Sequence, residues 1–227
     1  MKYVIEPSQT AAVPVEGGGL FPVHRIYCVG RNYAAHALEM GGDPNREEPF
    51  FFQKNADNVV TKGADFPYPA KSKDVHHEIE LVVALKGGGE NIPLSEALHY
   101  VFGYAAGLDM TRRDLQGECK KQGRPWEIGK AFEHSAPIGA IMPASRSGHP
   151  KDGAIWLKVD GTMRQEGNLN QLIWKVPEII SYLSGFFTLK PGDLIMTGTP
   201  SGVASVERGN VLQGQVEGIG EVRTRVV

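Results

Sequence analysis

Three carboxylates stand at positions from which they could together bind a hard metal cation. Glu78 and Glu80 are two residues apart, so on a β-strand both side chains point to one face while Ile79 points to the other. Asp109 ends the apolar, nearly chargeless segment 101–108, where a third oxygen ligand could be held. Ligation by oxygen alone favours Mg²⁺ or Mn²⁺ over Zn²⁺. These residues therefore predict a magnesium or manganese site.

Each of these residues also has an ordinary explanation. Glutamates two apart are common on exposed strand faces, and Asp109 could simply cap a following helix. His76 and His77 are competing ligands, and zinc or iron would be favoured if both bound the metal. On a strand, however, His77 faces away from the glutamates and only His76 shares their side. Spacing alone leaves the metal site a hypothesis.

The elements that must position these residues are mostly short strands. Glycine and proline, 28 and 15 of the 227 residues, indicate frequent turns. Apolar or alternating segments predict strands at 25–29, 78–85, 101–108, 154–159, 193–197 and 221–227. Helices are predicted at 33–40, capped by Asn32, at 111–121 and at 177–182. Because strands and helices do not alternate strictly, we expect a strand-dominated α+β fold.

Composition narrows the class of protein and its partners. Residues 1–20, ending in a run of three glycines, look like a short leader, and 21–227 like one catalytic domain. With 24 basic and 26 acidic side chains, a small-molecule partner fits better than nucleic acid. The first 15 residues lack a signal-peptide pattern, and no segment approaches the roughly 18 apolar residues of a membrane span. Cys28 and Cys119 form no CxxC pattern, so a reducing cytoplasm is expected.

Several motifs together resemble the fumarylacetoacetate hydrolase superfamily, in particular its short acylpyruvase and fumarylpyruvate hydrolase branch. They are VGRNY at 29–33, HHEIELVV at 76–83, GYAAGLDMT at 103–111, Trp126 with Gly129-Lys130, and TGTPSGV at 197–203. They run in the family's order from about residue 20 to the end of the chain. The resemblance implies a mixed β-roll fold, a homodimer, and Glu78, Glu80 and Asp109 as metal ligands.

The resemblance also implies roles for other residues. His36 and Glu39 match the water-activating dyad, and their spacing of three places both on one face of a short helix. The positions that match substrate contacts are Arg31, Arg113, Gln116 and Thr199, and Lys130 is suited to stabilise an oxyanion. His36 would take a proton from water, and the hydroxide would attack the distal acyl carbonyl of a 2,4-diketo acid. The metal would withdraw charge from the pyruvate portion.

The expected reaction is the hydrolysis of fumarylpyruvate to fumarate and pyruvate. The basic pair Arg112-Arg113 would suit a substrate with a second carboxylate, and segment 41–48 would act as a mobile lid. The alternatives are an oxaloacetate decarboxylase or tautomerase and a 2-hydroxyhepta-2,4-diene-1,7-dioate isomerase or decarboxylase. A non-catalytic carboxylate-binding relative is a further alternative. A protein that has lost catalytic activity, however, would not need His36, Glu39 and Lys130 together.

Overall fold

The computed structural model of the protein describes residues 3–35 and 47–227. The strands are β1 (Ala12–Pro14), β2 (Leu20–Pro22), β3 (Ile26–Gly30), β4 (Phe50–Lys54), β5 (Val59–Val60), β6 (Val75–His76), β7 (Ile79–Leu85), β8 (Val101–Leu108), β9 (Thr111–Arg112), β10 (Ala136–Pro137), β11 (Met142–Pro143), β12 (Ala154–Val159), β13 (Thr162–Asn168), β14 (Leu194–Met196), β15 (Val211–Val216) and β16 (Gly220–Arg225). The helices are α1 (Arg113–Lys121), α2 (Glu127–Lys130), α3 (Ala144–Ser147) and α4 (Val176–Ser184), with short 3₁₀ turns at Ala56–Asn58, Ala97–Tyr100 and Leu169–Gln171.

A six-stranded mixed sheet forms the centre of the molecule, in the order β11-β8-β7-β14-β3-β4. β14 runs parallel to β3, and the other neighbouring pairs are antiparallel. Every residue of β7 is buried, because strands flank it on both sides and side chains cover both of its faces. Glu80 lies in this strand and Glu78 just before it, so the strand lacks the open face that two alternating carboxylates suggested.

A second sheet, with the antiparallel order β13-β12-β15-β16, packs on β7 and β8 of the first. Ile79, Leu81 and Val83 contribute to the main apolar cluster, together with residues of the second sheet such as Leu157 and Leu212. Val82 and Ala84 point to the other side of β7 and join a smaller cluster with residues of β3 and β14. Apolar burial on both faces holds β7 rigidly in place.

The strand-dominated α+β prediction is confirmed. The strands predicted at 101–108 and 154–159 have those bounds, and the helix predicted at 177–182 is extended to Val176–Ser184. The helix predicted at 111–121 begins later, at Arg113, because Thr111 and Arg112 pair with β6 as a short strand. Strands β13 and β15 were not predicted, since polar side chains interrupt their apolar pattern.

The predicted boundary at residue 20 falls within a hairpin. β1 and β2 pair around the three glycines, and Val13 is fully buried in the smaller apolar cluster. The division into a leader and a catalytic domain stays a prediction. The predicted helix 33–40 and the lid segment 41–48 lie largely outside the described residues. In the described part of the chain, no helix is long and apolar enough to cross a membrane.

Candidate metal centre and cleft

Sheet register brings the three carboxylates of the predicted metal site together. Ile79 pairs with Leu108 across β7 and β8, so Glu78 and Asp109 follow as the next opposed positions. The Asp109 backbone N–H donates to the Glu78 carbonyl oxygen at 2.8 Å and fixes the two residues side by side. The N-terminal flanking residue of α1 is Arg112, so Asp109 does not cap that helix.

Oxygen atoms of Glu78, Glu80 and Asp109 lie within 4.8 Å of one another, and all three residues are buried. The Gly198 N–H donates to Glu80 Oε2 at 2.7 Å. Burial, followed by repulsion from Asp109 and Glu78, raises the pKa of Glu80 well above its usual range. Bringing these carboxylates together without a bound cation is therefore electrostatically costly.

Lys130 supplies part of the missing positive charge. Its Nζ donates to Glu78 Oε2 at 2.8 Å, to Asp109 Oδ2 at 2.7 Å and to Thr111 Oγ1 at 2.7 Å. Burial alone lowers the pKa of Lys130, but Asp109 and then Glu78 raise it by more, so the net pKa lies above the ordinary value. Lys130 is therefore a charged ammonium group in contact with two of the predicted metal ligands.

Two further cations border the carboxylates. Lys54, which is fully buried, places Nζ 2.9 Å from Asp109 Oδ1, and its Nζ also donates to the main-chain carbonyls of Met110 and Lys130. The Arg113 guanidinium donates to Glu78 Oε1 and, at 2.7 Å, to Gln116 Oε1. These cations sit around the ligand cluster and leave an all-oxygen donor set. That donor chemistry fits Mg²⁺ or Mn²⁺.

Neither histidine beside the glutamates belongs to the carboxylate cluster. His76 Nε2 lies 2.9 Å from Asp74 Oδ1, and the Arg113 Nε–H donates to His76 Nδ1 at 3.3 Å. His77 Nδ1 lies 2.9 Å from Gln165 Oε1, and burial lowers the His77 pKa to about 4. The ring of His77 is therefore neutral and buried, on the side away from the site.

The TGTPSGV loop at 197–203 follows β14 and borders the same cluster. The Gly198 N–H of this loop binds the carboxylate of Glu80 within the same chain. Gly198 has φ of +97°, and a Cβ atom there would lie 2.7 Å from the Asn32 Cβ, so this position requires glycine. The Asn32 amide in turn donates to the carbonyl oxygens of Thr197 and Trp174, which ties the loop to the end of β3.

Gln165, on β13, forms hydrogen bonds with this loop and with the start of β7. Its Nε2 donates to Thr199 Oγ1 and to the Pro200 carbonyl, both at 2.8 Å. Its Oε1 accepts from the Ile79 N–H at 3.1 Å and from His77 Nδ1. Because Thr199 Oγ1 accepts this hydrogen bond, the Thr199 hydroxyl proton remains available to a ligand in the cleft. Gln165 was not predicted from the sequence.

Replacing Gln165 with Leu is expected to destabilise the protein by about 3 kcal/mol, since the change leaves several buried polar groups without their partner. Urea unfolding followed by circular dichroism measures the effect. The matched control is Gln215→Leu, which removes an exposed glutamine from β15. Equal stability of Gln165→Leu and the control would show that the network does not hold the loop.

A cleft with an empty volume of about 420 Å³ opens beside the carboxylates. Its lining residues are Val29, Gly30, Arg31, Phe50, Phe52, Glu78, Glu80, Arg113, Gln116, Lys120, Trp126, Lys130, Gly198 and Thr199. The structure thus brings together the predicted residues Arg31, Arg113, Gln116, Thr199 and Lys130. His36 and Glu39 lie outside the described residues, and their roles stay predictions.

Arg112 does not line this cleft, in contrast to the expectation that Arg112-Arg113 suits a second carboxylate. Its guanidinium lies 4.2 Å from the ring centroid of Phe132 and donates to the Ile128 carbonyl at 3.2 Å. Arg112 ends strand β9 and Arg113 begins helix α1, so the two side chains leave the backbone in different directions. Of the two, Arg113 contacts Glu78.

Residues 25–227 match the model of the fumarylacetoacetate (FAA) hydrolase C-terminal family. The chain belongs to this family. Within the family, a structure of fumarylpyruvate hydrolase from Pseudomonas aeruginosa in complex with Mn²⁺ and pyruvate is 54% identical, with a TM-score of 0.97. The similarity covers 100% of this chain and 99% of that one.

The chain is also similar to proteins that are named for other activities. The mitochondrial oxaloacetate tautomerase FAHD1 of Rattus norvegicus is 43% identical over 201 residues, 88% of this chain and 90% of that protein. The mitochondrial oxaloacetate decarboxylase of Dictyostelium discoideum is 41% identical over 197 residues, 86% of this chain and 89% of that protein. Family membership thus leaves more than one reaction to choose from.

Proposed function

We propose that the protein is a metal-dependent hydrolase that splits fumarylpyruvate into fumarate and pyruvate, using Mg²⁺ or Mn²⁺ held by Glu78, Glu80 and Asp109. The observation that carries the proposal is the joining, in one cleft, of an all-oxygen ligand cluster with the buried ammonium of Lys130. The likeness to the P. aeruginosa fumarylpyruvate hydrolase, with its Mn²⁺ and pyruvate, supports the choice of metal and substrate.

The metal supplies one part of the chemistry, because a bound divalent ion withdraws charge from the oxygens of a 2-oxo acid. The chain supplies the rest. Arg113 and the Thr199 hydroxyl are placed to bind and orient substrate oxygens at the cleft wall. Lys130, whose raised pKa keeps it charged, stabilises the negative charge that develops when the acyl carbonyl is attacked.

Water is the second substrate. His36, oriented by Glu39, removes a proton from water in this proposal, and the oxygen bonds to the distal acyl carbon. The bond between that carbon and C3 of the pyruvate portion then breaks. The proton passes to C3, so each turnover consumes one water and releases fumarate and pyruvate.

The reaction can be tested by following the ultraviolet absorbance of fumarylpyruvate, acetylpyruvate and oxaloacetate with purified protein. The proposal expects metal-dependent loss of the fumarylpyruvate chromophore with stoichiometric release of pyruvate. Turnover of oxaloacetate alone would overturn it in favour of the tautomerase or decarboxylase function. Turnover of none of the three would remove the enzymatic proposal altogether.

Replacing His36 with Ala is expected to lower kcat by about 10²- to 10⁴-fold, the usual contribution of a positioned general base. Binding of Mn²⁺ should persist, because the proposed ligands are unchanged. Steady-state kinetics and calorimetric titration with Mn²⁺ measure the two quantities. Near wild-type kcat with metal bound would exclude His36 from the mechanism.

An oxaloacetate tautomerase or decarboxylase is the second candidate, favoured by the rat and Dictyostelium relatives. Both activities move charge onto the same 2-oxo acid portion, and neither needs hydroxide to attack an acyl carbon. We further propose that the chain works as a homodimer in the cytoplasm, as the family resemblance and the cysteine pattern suggest. The assay with the three substrates separates these candidates, because tautomerisation also needs a general base and could use His36.

A further inference from the structure

Two cations in the cleft have no acidic partner among the described residues. Lys120 makes no hydrogen bond or ion pair there, and Arg31 makes only a cation–π contact, its guanidinium 5.8 Å from the Phe50 ring centroid. The other cleft cations, Arg113 and Lys130, are already bound to carboxylates. Unpaired cations that line a binding cleft are available to an anionic ligand.

Helix α1 places Lys120 on the cleft side. Arg113, Gln116 and Lys120 follow the i, i+3, i+7 spacing of one helix face, and all of them line the cleft. Lys120 lies about 10 Å along the helix from Arg113, at a rise of 1.5 Å per residue. Lys120 therefore stands about two turns farther along the cleft wall than Arg113, which contacts Glu78.

The positive charges of Lys120, Arg31 and Arg113 repel one another. Burial, followed by repulsion from Arg31 and then from Arg113, lowers the pKa of Lys120. The cause places Lys120 within electrostatic range of both arginines. A bound carboxylate would relieve this repulsion between like charges.

Between the carboxylate cluster and the cations Arg31 and Lys120, the cleft wall is aromatic. The rings of Phe50 and Trp126 meet edge to face with centroids 5.3 Å apart, and the Phe52 and Trp126 centroids are 5.8 Å apart. Lys130 Nζ lies 4.9 Å from the Phe52 centroid, so this wall begins at the metal site. A flat, unsaturated carbon chain fits such a surface better than a hydrated polar one.

We propose that Lys120 and Arg31 bind the distal carboxylate of the substrate and thereby select long dicarboxylic diketo acids over acylpyruvates with an uncharged acyl end. The proposal rests on the hydrolase function above and adds a specificity-determining residue to it. Lys120 and Arg31 thus take the role that the sequence suggested for Arg112, whose side chain faces Phe132.

The test compares Lys120→Met with Lys121→Met, which removes the neighbouring exposed lysine outside the cleft. For each protein, kcat/KM is measured with fumarylpyruvate and with acetylpyruvate, in which a methyl group replaces the whole carboxyvinyl end and so removes the distal carboxylate. In Lys120→Met, the ratio of kcat/KM for fumarylpyruvate to kcat/KM for acetylpyruvate should fall by about tenfold to a hundredfold. That is the contribution of a charge-assisted hydrogen bond. Lys120→Arg should restore most of the ratio, and Lys121→Met should leave it at the wild-type value.

An equal loss for both substrates in Lys120→Met, or an equal change of the ratio in Lys121→Met, would overturn the proposal. Absence of turnover in the wild-type protein would instead be a failure of the hydrolase function. In that event calorimetric titration with fumarate tests whether Lys120 binds a carboxylate, independently of turnover. Weaker fumarate binding by Lys120→Met than by Lys121→Met supports it, and equal binding overturns it.

Discussion

Replacing Glu80 with Gln is expected to lower metal-dependent kcat/KM by about 10³-fold or more while the protein stays folded. A divalent ion contributes several kcal/mol to such a reaction, and each 1.36 kcal/mol is a factor of ten. Gln keeps the size of Glu80 and can still accept the Gly198 N–H through its amide oxygen. Within the described residues Glu80 makes no ion pair, so the change leaves no buried cation without its partner.

Asp109→Asn provides the informative contrast. Both variants should bind Mn²⁺ poorly in calorimetric titration, but only Asp109→Asn removes the buried partner of Lys54 and Lys130. Its free energy of unfolding in chelator should therefore fall by about 3 to 5 kcal/mol, whereas that of Glu80→Gln should change by less than about 1 kcal/mol. Wild-type Mn²⁺ affinity in Glu80→Gln would show that Glu80 is not a ligand.

Lys130→Met is expected to lose both activity and stability. In chelator, the free energy of unfolding of the variant should be about 3 to 5 kcal/mol lower than that of the wild type. The reason is that Glu78 and Asp109 lose the ammonium that they share. The kcat value should fall by about 10²- to 10³-fold, the usual cost of removing a group that stabilises an oxyanion. Thermal unfolding and steady-state kinetics measure the two effects.

Added Mn²⁺ should raise the melting temperature of Lys130→Met by more than that of the wild-type protein, since the ion replaces positive charge that the variant lacks. The control is Lys71→Met, which removes an exposed lysine outside the cleft and should match the wild type in both measurements. Wild-type stability of Lys130→Met in chelator would contradict the charge balance described for the cluster.

The carboxylate cluster could be predicted from the sequence because its residues obey short-range rules. Alternation on a strand places Glu78 and Glu80 near each other, and a lone acid after an apolar strand indicated Asp109. Strand pairing then completed the cluster, since β7 and β8 are antiparallel neighbours whose register sets Asp109 opposite Glu78. Even so, burial of β7 on both faces was missed, because a strand with two carboxylates has the pattern of a half-exposed one.

Contacts between distant segments account for the residues that the sequence did not predict. Lys54 ends the aromatic run of β4, and a single charge in such a strand is the same signal that indicated Asp109, but its partner depends on the tertiary fold. Gln165 appears in the sequence as an ordinary polar residue, and only the packing of β13 against the 197–203 loop gives it a role. Lys120 and Lys121 are equivalent by residue type, and the helix phase alone separates them.

Metal dependence of the hydrolysis is tested by titrating chelated protein with Mn²⁺ while fumarylpyruvate absorbance is followed. We expect no turnover before the addition, and a rise that saturates near one ion per chain, with release of fumarate and pyruvate in equal amounts. Glu80→Gln should stay inactive over the same range of Mn²⁺ concentrations. Hydrolysis that persists in chelator, or that Glu80→Gln performs at the wild-type rate, would contradict the metal-dependent mechanism.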